Sequence, residues 1–225
     1  MNAEFAKNLA DQVARFYETY GNSFSATRHA VWAEQKLIAG LVRSGMTVVD
    51  VGAGNGRLAT QLPSGVSYVG FEPSAALRAF VMSDTDLRPG ALPNLPLKEQ
   101  SADLVACIAV FHHLPSTELR SKCVDELVRI TKPGGLIVAS SWFLQEDNPR
   151  LTHVLGGDAG DFFMSWNAEV KTGQRYVHLF DETEWMNLWT RPDVAIERIG
   201  LFGREDWTDD RSEARNWMVV ARRRT

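Results

Sequence analysis

The residues best placed to do chemistry are two acids and a run of alternating glycines. Asp50 stands in VVDVGAGNGRLA (Val48 to Ala59), ahead of Gly52, Ala53, Gly54 and Gly56. Glu72 follows 22 residues later in YVGFEPS, with Pro73 directly after it. Glycines at this spacing adopt backbone angles closed to other residues and let a ligand approach the main chain. A carboxylate at the second position can accept hydrogen bonds from both hydroxyls of a ribose, and the proline forces a turn just beyond it. Such a set suits a nucleotide-bearing ligand. The dinucleotide fingerprint G-x-G-x-x-G would need its third glycine at Arg57, whose bulk obstructs close helix–strand packing. That weighs against a nicotinamide dinucleotide.

The elements that must position these residues alternate in period. Phe5, Leu9, Val13, Phe16 and Tyr20 recur at helical spacing, predicting a helix from about Glu4 to Tyr20, stopped by Gly21 and Asn22. A second helix is expected over Trp32 to Val42. Apolar runs at Met46 to Val51, Ser67 to Phe71, Ala102 to Phe111 and Leu136 to Ser140 read as buried strands. Helices are expected from Arg57, over Ser74 to Met82 and over Ser116 to Ile130, with Lys132 to Gly135 as a turn. The fold expected is α/β: a doubly wound (Rossmann-like), mostly parallel seven-stranded sheet with an antiparallel C-terminal strand. An N-terminal helical extension (1–44) precedes a ligand-binding core (45–141). An aromatic-rich insertion (142–192) follows the fifth strand, and a C-terminal hairpin (193–225) closes the chain, all within one domain.

Composition agrees with a packed globular chain: 225 residues, 44% hydrophobic and 23% charged. No run is long enough for a membrane span, and the N-terminus does not read as a secretory signal. Two cysteines, Cys107 and Cys123, without CxxC spacing argue against a disulfide framework or a cysteine-built metal site. A cytoplasmic location, no membrane, no resident metal and no DNA partner are the expectations. The net charge of −4 gives no global attraction to nucleic acid. The run Arg222, Arg223, Arg224 reads as a solvated basic end that could still touch RNA.

The D-x-G-x-G-x-G form around Asp50 resembles motif I of class I S-adenosylmethionine-dependent methyltransferases, and Glu72 resembles their motif II acid. Leu95, Pro96, Leu97 and Asp103 match a further segment, and Lys132-Pro-Gly-Gly135 completes the set. The resemblance implies that the main chain near Gly52 carries the methionine part of the cofactor with help from Asp50, and that Leu92 and Ala109 also border it. Ala91 stands where that family has an acid for the adenine amino group. Adenine recognition is then left to main-chain groups near Leu92, or to Asp84 or Asp86.

Four stretches are similar to a narrower family, the methyltransferases that esterify the carboxymethyl group of wobble uridine in tRNA. They are FYETYGNSFSATRHAVW (with Ala33 where that family has proline), AVFHHLPSTELR, SSWFLQE, and DFFMSWN followed by QRYVHLFDETEW. The resemblance implies Arg28, His112, Tyr176 and His178 around the reacting groups, and Trp32, Trp142, Trp166 and Arg175 around the substrate. It also implies tRNA and a small zinc-ribbon activator subunit as partners. A carboxymethyl acceptor is already an anion near neutrality and requires no general base. Alternatives stay open: a small-molecule carboxylate, phenol or amine as acceptor, or a catalytically silent subunit of the same fold. Residue by residue, Arg28 could simply pair with an acid, one of His112 and His113 could be a packed core residue, and Tyr176 and His178 could both be core.

Overall fold

The computed structural model describes residues 1–26, 30–81, 84–166 and 173–225. Helix α1 (Ala3–Ala26) and α2 (Ala33–Leu41) precede β1 (Thr47–Val51). The chain continues through β2 (Ser67–Phe71), the short α3 (Ala75–Arg78), β3 (Leu87–Arg88), β4 (Ala102–Cys107), α4 (Thr117–Ile130) and β5 (Thr131–Trp142). A sheet order of β3-β2-β1-β4-β5-β10-β9 results, with β1 to β5 parallel and β10 (Asn216–Arg223) antiparallel to both β5 and β9 (Val194–Phe202). This is the doubly wound sheet that the alternating apolar runs require, closed by the expected hairpin. Strand order reverses between β1 and β4, where such sheets open a crevice beyond their carboxyl ends.

Both faces of the sheet are covered. One carries Val49, Val105, Ile137 and Val219 against α4, Trp185 and Trp189; the other carries Val48, Leu104, Val138 and Met218 against Ile38 of α2. Trp185, Trp189 and Trp217 are essentially fully buried. At 150–250 Å² of ring surface each, their removal from water is worth on the order of 5 kcal/mol apiece as an upper estimate.

Four expectations need correcting. Helix α1 does not stop at Gly21 but runs through it to Ala26. A Cβ at Gly21 would lie 2.9 Å from the Ala76 Cβ, so this glycine serves a close approach of α1 to α3 rather than a helix end. Arg57–Gln61 is a 3-10 helix rather than an α-helix. Lys132 to Gly135 is not a separate turn but part of β5, whose register against β4 jumps from Ala102↔Thr131 to Leu104↔Leu136. The three terminal arginines are not a solvated tail. Arg223 donates to the carbonyls of Val128, Arg129 and Thr131 at the end of α4, Arg224 to Val194, and Arg222 to Gly134 and Glu197. The Arg223 charge lies at the end of α4, where a cation suits the helix C-terminus.

The insertion is structured. β6 (Leu151–His153), β7 (Asp161–Ser165) and β8 (Gln174–His178) form an antiparallel sheet, and α5 (Glu182–Trp189) leads back to the core. Leu9 of α1 packs with Val154 and Tyr176, joined by Phe5, Val13 and Phe163, so α1 roofs the insertion sheet as well as α3.

Candidate functional site

Beyond the carboxyl ends of β1, β2 and β4 lies a cavity of about 540 Å³, roofed by α1. Its floor is the glycine loop. Gly52, Gly54 and Gly56 all have positive φ, at 71°, 60° and 78°. A Cβ at Gly52 would come within 2.4 Å of Val110, whereas the space at Gly54 is open. The loop is drawn onto β2 by Gly52 and Ala53, whose N–H groups donate to the Phe71 carbonyl at 2.8 and 3.0 Å.

Both acids are at this floor and both are buried, each 5% exposed. Glu72 accepts from the Gly54 N–H at 3.0 Å and from the Ser74 N–H at 2.8 Å, so one carboxylate ties two βα loops together. Asp50 accepts from the Tyr68 hydroxyl at 2.9 Å. Burial pushes the carboxyls of Asp50 and Glu72 up to about 7 despite these donors. Asp50, Gly52, Ala53, Gly54, Glu72, Pro73, Leu92 and Ala109 line the cavity, while Gly56 sits behind it as the residue opening the 3-10 helix. Ala109 itself has φ 57°, and its N–H donates to Ser140 Oγ. Of the acids considered for adenine, Asp86 is paired with Arg88 at 2.5 Å, and neither it nor Asp84 lines the cavity, whereas Ala91 and Leu92 do.

The opposite wall comes from Tyr17, Phe24, Trp32, Arg57, His113 and Trp142. His113, not His112, faces the cavity. Its Nδ1 lies 2.9 Å from the Tyr176 carbonyl, which can only accept, so Nδ1 carries the proton and Nε2 accepts from the Tyr17 hydroxyl at 2.8 Å. Burial, with the Arg175 charge added, pushes His113 down to about 3. His112 is fully buried, stacked on Trp142 at 4.0 Å; its Nδ1 accepts from the backbone N–H of Trp142, and its buried Nε2 has no hydrogen-bond partner among the described residues. Burial, the neighbouring His113 and Arg175 hold it well below the usual histidine range.

Arg175 and Trp166 sit behind this wall. The Arg175 guanidinium is 4.6 Å from the Phe16 ring centroid, 5.1 Å from Trp142 and 5.8 Å from Trp166, an aromatic cage that suits a planar cation. Tyr176 and His178 do share a face, but it is turned toward Asp161, whose Oδ1 takes the Tyr176 hydroxyl at 2.6 Å and lies 2.7 Å from His178 Nδ1. Neither lines the cavity. Arg28 lies outside the described residues. Reasoning from the sequence did not select Tyr17, Arg15, Arg57, Asp161 or Glu184. The Arg57 guanidinium stands 4.5 Å over Trp32, which joins the glycine loop to the start of α2. The signal for Tyr17 was its place in FYETY, next to core Phe16 on α1.

Comparison with known proteins gives a consistent answer. The family model described as a methyltransferase domain matches residues 49–139. A candidate methyltransferase of Encephalitozoon cuniculi is 30% identical over 182 residues, covering 79% of this chain and 84% of that protein. The tRNA (carboxymethyluridine(34)-5-O)-methyltransferase of Arabidopsis thaliana is 35% identical over 143 residues, 62% of this chain; the match spans 35% of that relative's length. Among solved structures, Burkholderia thailandensis 1,6-didemethyltoxoflavin-N1-methyltransferase, with bound S-adenosylhomocysteine, superposes with a TM-score of 0.66 at 18% identity, over 100% of this chain and 92% of that one. A candidate methyltransferase in complex with the Haloferax volcanii Trm112 methyltransferase activator gives 0.68 at 16%, over 95% and 98%. At these identities the structural likeness is one of fold.

Proposed function

The chain belongs to the class I S-adenosylmethionine-dependent methyltransferases, and from that premise we propose that it esterifies the carboxymethyl group of a modified uridine in tRNA. The residues present fit the cofactor. The open space above Gly54 admits a ligand against the main chain, and Glu72 and Asp50 offer buried acceptors for sugar hydroxyls and for an ammonium group. When bound, the cofactor supplies a methyl group on a sulfonium. Gly52 and Gly54 would hold its methionine portion, Glu72 its ribose, and Ala91 and Leu92 would border its adenine.

The observation that carries the choice of acceptor is the state of His113. Both its nitrogens are engaged and its basicity is suppressed, so the cavity's own histidine is no general base. A phenol or an alkylamine is protonated at pH 7 and would need one; a carboxylate arrives with its lone pair ready. The protein's work is then to orient that anion in line with the methyl group and to exclude water. Arg15 and Arg57 are cationic members of the cavity lining, and Trp32 and Trp142 present rings on which a flipped base can stack. Arg28, outside the described residues, stays a candidate acceptor-binding residue on the sequence resemblance alone. Arg175 lies against both Trp142 and Trp166, behind the wall.

A small activator subunit belongs to the same reading. One structural neighbour was solved with such a partner. The two-residue β3 ends the described sheet, and Phe80 after α3 is 43% exposed.

The test supplies methyl-labelled cofactor and tRNA bearing carboxymethyluridine, then treats the product with mild base. Volatile labelled methanol is expected from an ester. Label that stays on tRNA, or that passes to small carboxylates and not to tRNA, would overturn the assignment.

A further inference from the structure

Behind the cavity wall four polar groups run in a chain from the buried Asp161 on β7 and His178 on β8 to the partly exposed Glu184 on α5 and the buried Arg120 on α4. His178 Nδ1 is 2.7 Å from Asp161 Oδ1, and its Nε2 is 2.7 Å from Glu184 Oε2. Arg120, 2% exposed, donates to Glu184 Oε1 at 2.8 Å and to the Leu114 carbonyl. Tyr176 adds its hydroxyl to the same Asp161 oxygen. A Cβ at Gly160 would fall 2.9 Å from the imidazole, so the backbone is packed against this ring. Both acceptors facing His178 are carboxylates, which cannot donate when ionised, and a neutral imidazole has one donor only. Both contacts are made together only if each ring nitrogen carries a proton.

We propose that His178 is a positioning residue, an imidazolium held between Asp161 and Glu184 that clamps the insertion sheet to α4 and α5 and thereby fixes the Tyr176 carbonyl that sets the tautomer of His113. The clamp acts through one strand. Tyr176 and His178 are neighbours on the same face of β8, and the carbonyl of Tyr176 is the acceptor for His113 Nδ1. With the carbonyl in place His113 keeps Nε2 free of a proton, and the Tyr17 hydroxyl is turned toward it and away from the acceptor. Loss of the His178 proton places a lone pair against a carboxylate and frees that end of β8.

The charges around the ring act in opposing senses. Burial and Arg120 disfavour the imidazolium, whereas Asp161 and Glu184 favour it; together the carboxylates win and the pKa of His178 lies above its ordinary value. The reverse partner shows the complementary effect: burial alone would raise Asp161, but His178, Tyr176 and the Asp158 N–H hold it low. A raised histidine contributes stability that is complete below the unfolded pKa and is lost as pH rises through the folded one. The clamp therefore loosens on the alkaline side.

This rests on the methyl-transfer reading only for its effect on turnover, and the primary readout needs neither cofactor nor acceptor. In protein carrying ¹⁵N-labelled histidine, both ring nitrogens of His178 are expected to stay protonated to higher pH than in an ordinary histidine. Its titration midpoint should lie above 6.5, and the His113 resonances should move at the same midpoint although His113 itself stays neutral. Glu184→Gln removes one facing charge and should lower the midpoint by about one pH unit or more. The alkaline limb of kcat should shift with it, leaving the KM for cofactor unchanged. A His178 midpoint at or below the ordinary histidine value overturns the proposal, as does a Glu184→Gln protein whose His113 signals and kcat profile match the wild type. Should that variant fail to fold, the wild-type titration decides alone. An intact clamp in a protein that transfers no methyl group would count against the acceptor assignment instead.

Discussion

Replacing Glu72 by glutamine should flatten the pH dependence of stability. The folded carboxyl is raised to about 7 from an ordinary value of 4.5, chiefly by burial and in part by the charge of Asp50. Below pH 4.5 it is protonated whether the chain is folded or not. Between 4.5 and 7 the unfolded chain ionises while the folded one holds its proton, so stability falls as pH rises and levels off above 7. At about 1.36 kcal/mol per pH unit, the loss between pH 5 and pH 8 is about 2–3 kcal/mol. Glutamine cannot ionise and removes this slope. It also offers a single acceptor oxygen to the two N–H groups of Gly54 and Ser74, a penalty of about 1–3 kcal/mol at every pH. Urea denaturation followed by tryptophan fluorescence at several pH values separates the two effects. The variant should be less stable than wild type at pH 5, with the gap closing or reversing by pH 8. Above pH 7, where the carboxyl is ionised, cofactor affinity should fall by about a hundredfold, since hydrogen bonds to a charged acceptor are lost. Parallel stability profiles would refute the assignment of a raised, desolvated carboxyl at this position.

Further outcomes follow from the same geometry. Gly52→Ala places a methyl group 2.4 Å from Val110 at φ 71°, so it should cost about 1–3 kcal/mol in denaturation experiments and abolish cofactor binding by calorimetry. Tyr17→Phe leaves His113 Nε2 without its donor; turnover should drop at least tenfold while cofactor affinity stays within about twofold, and equal loss of both would make Tyr17 a structural residue. Arg223→Ala removes a charged donor from three carbonyls around the α4–β5 junction and should lower stability by about 1–2 kcal/mol, with little change in kcat.

Much of this architecture can be read from residue order. The central parallel strands β1, β2 and β4 are short, largely apolar runs because both faces of the sheet are covered, and Asp50, Gly52, Gly54 and Glu72 mark their own loops by type and spacing. What could not be read depends on contacts between segments distant in the chain. Gly21 looks like a helix end until Ala76 is seen against it. His112 and His113 are indistinguishable as neighbours; only the stacking of Trp142 on the first and the reach of Tyr17 to the second separate them. Tyr176 and His178 could be assigned a shared face but not the direction of that face, because Asp161 and Glu184 come from other elements. Arg57 was legible as an obstacle to a dinucleotide, not as a cation over Trp32.

The engagement of the C-terminal arginines in carbonyl contacts bears on how any polyanion could be held. A guanidinium already spent on helix-end carbonyls and on Glu197 displaces few ions from a phosphate backbone. Attraction must then come from the few cations near the cavity. A complex built that way should respond only weakly to added salt, and its selectivity would reside in the shape of the modified base rather than in the charge of the chain that carries it.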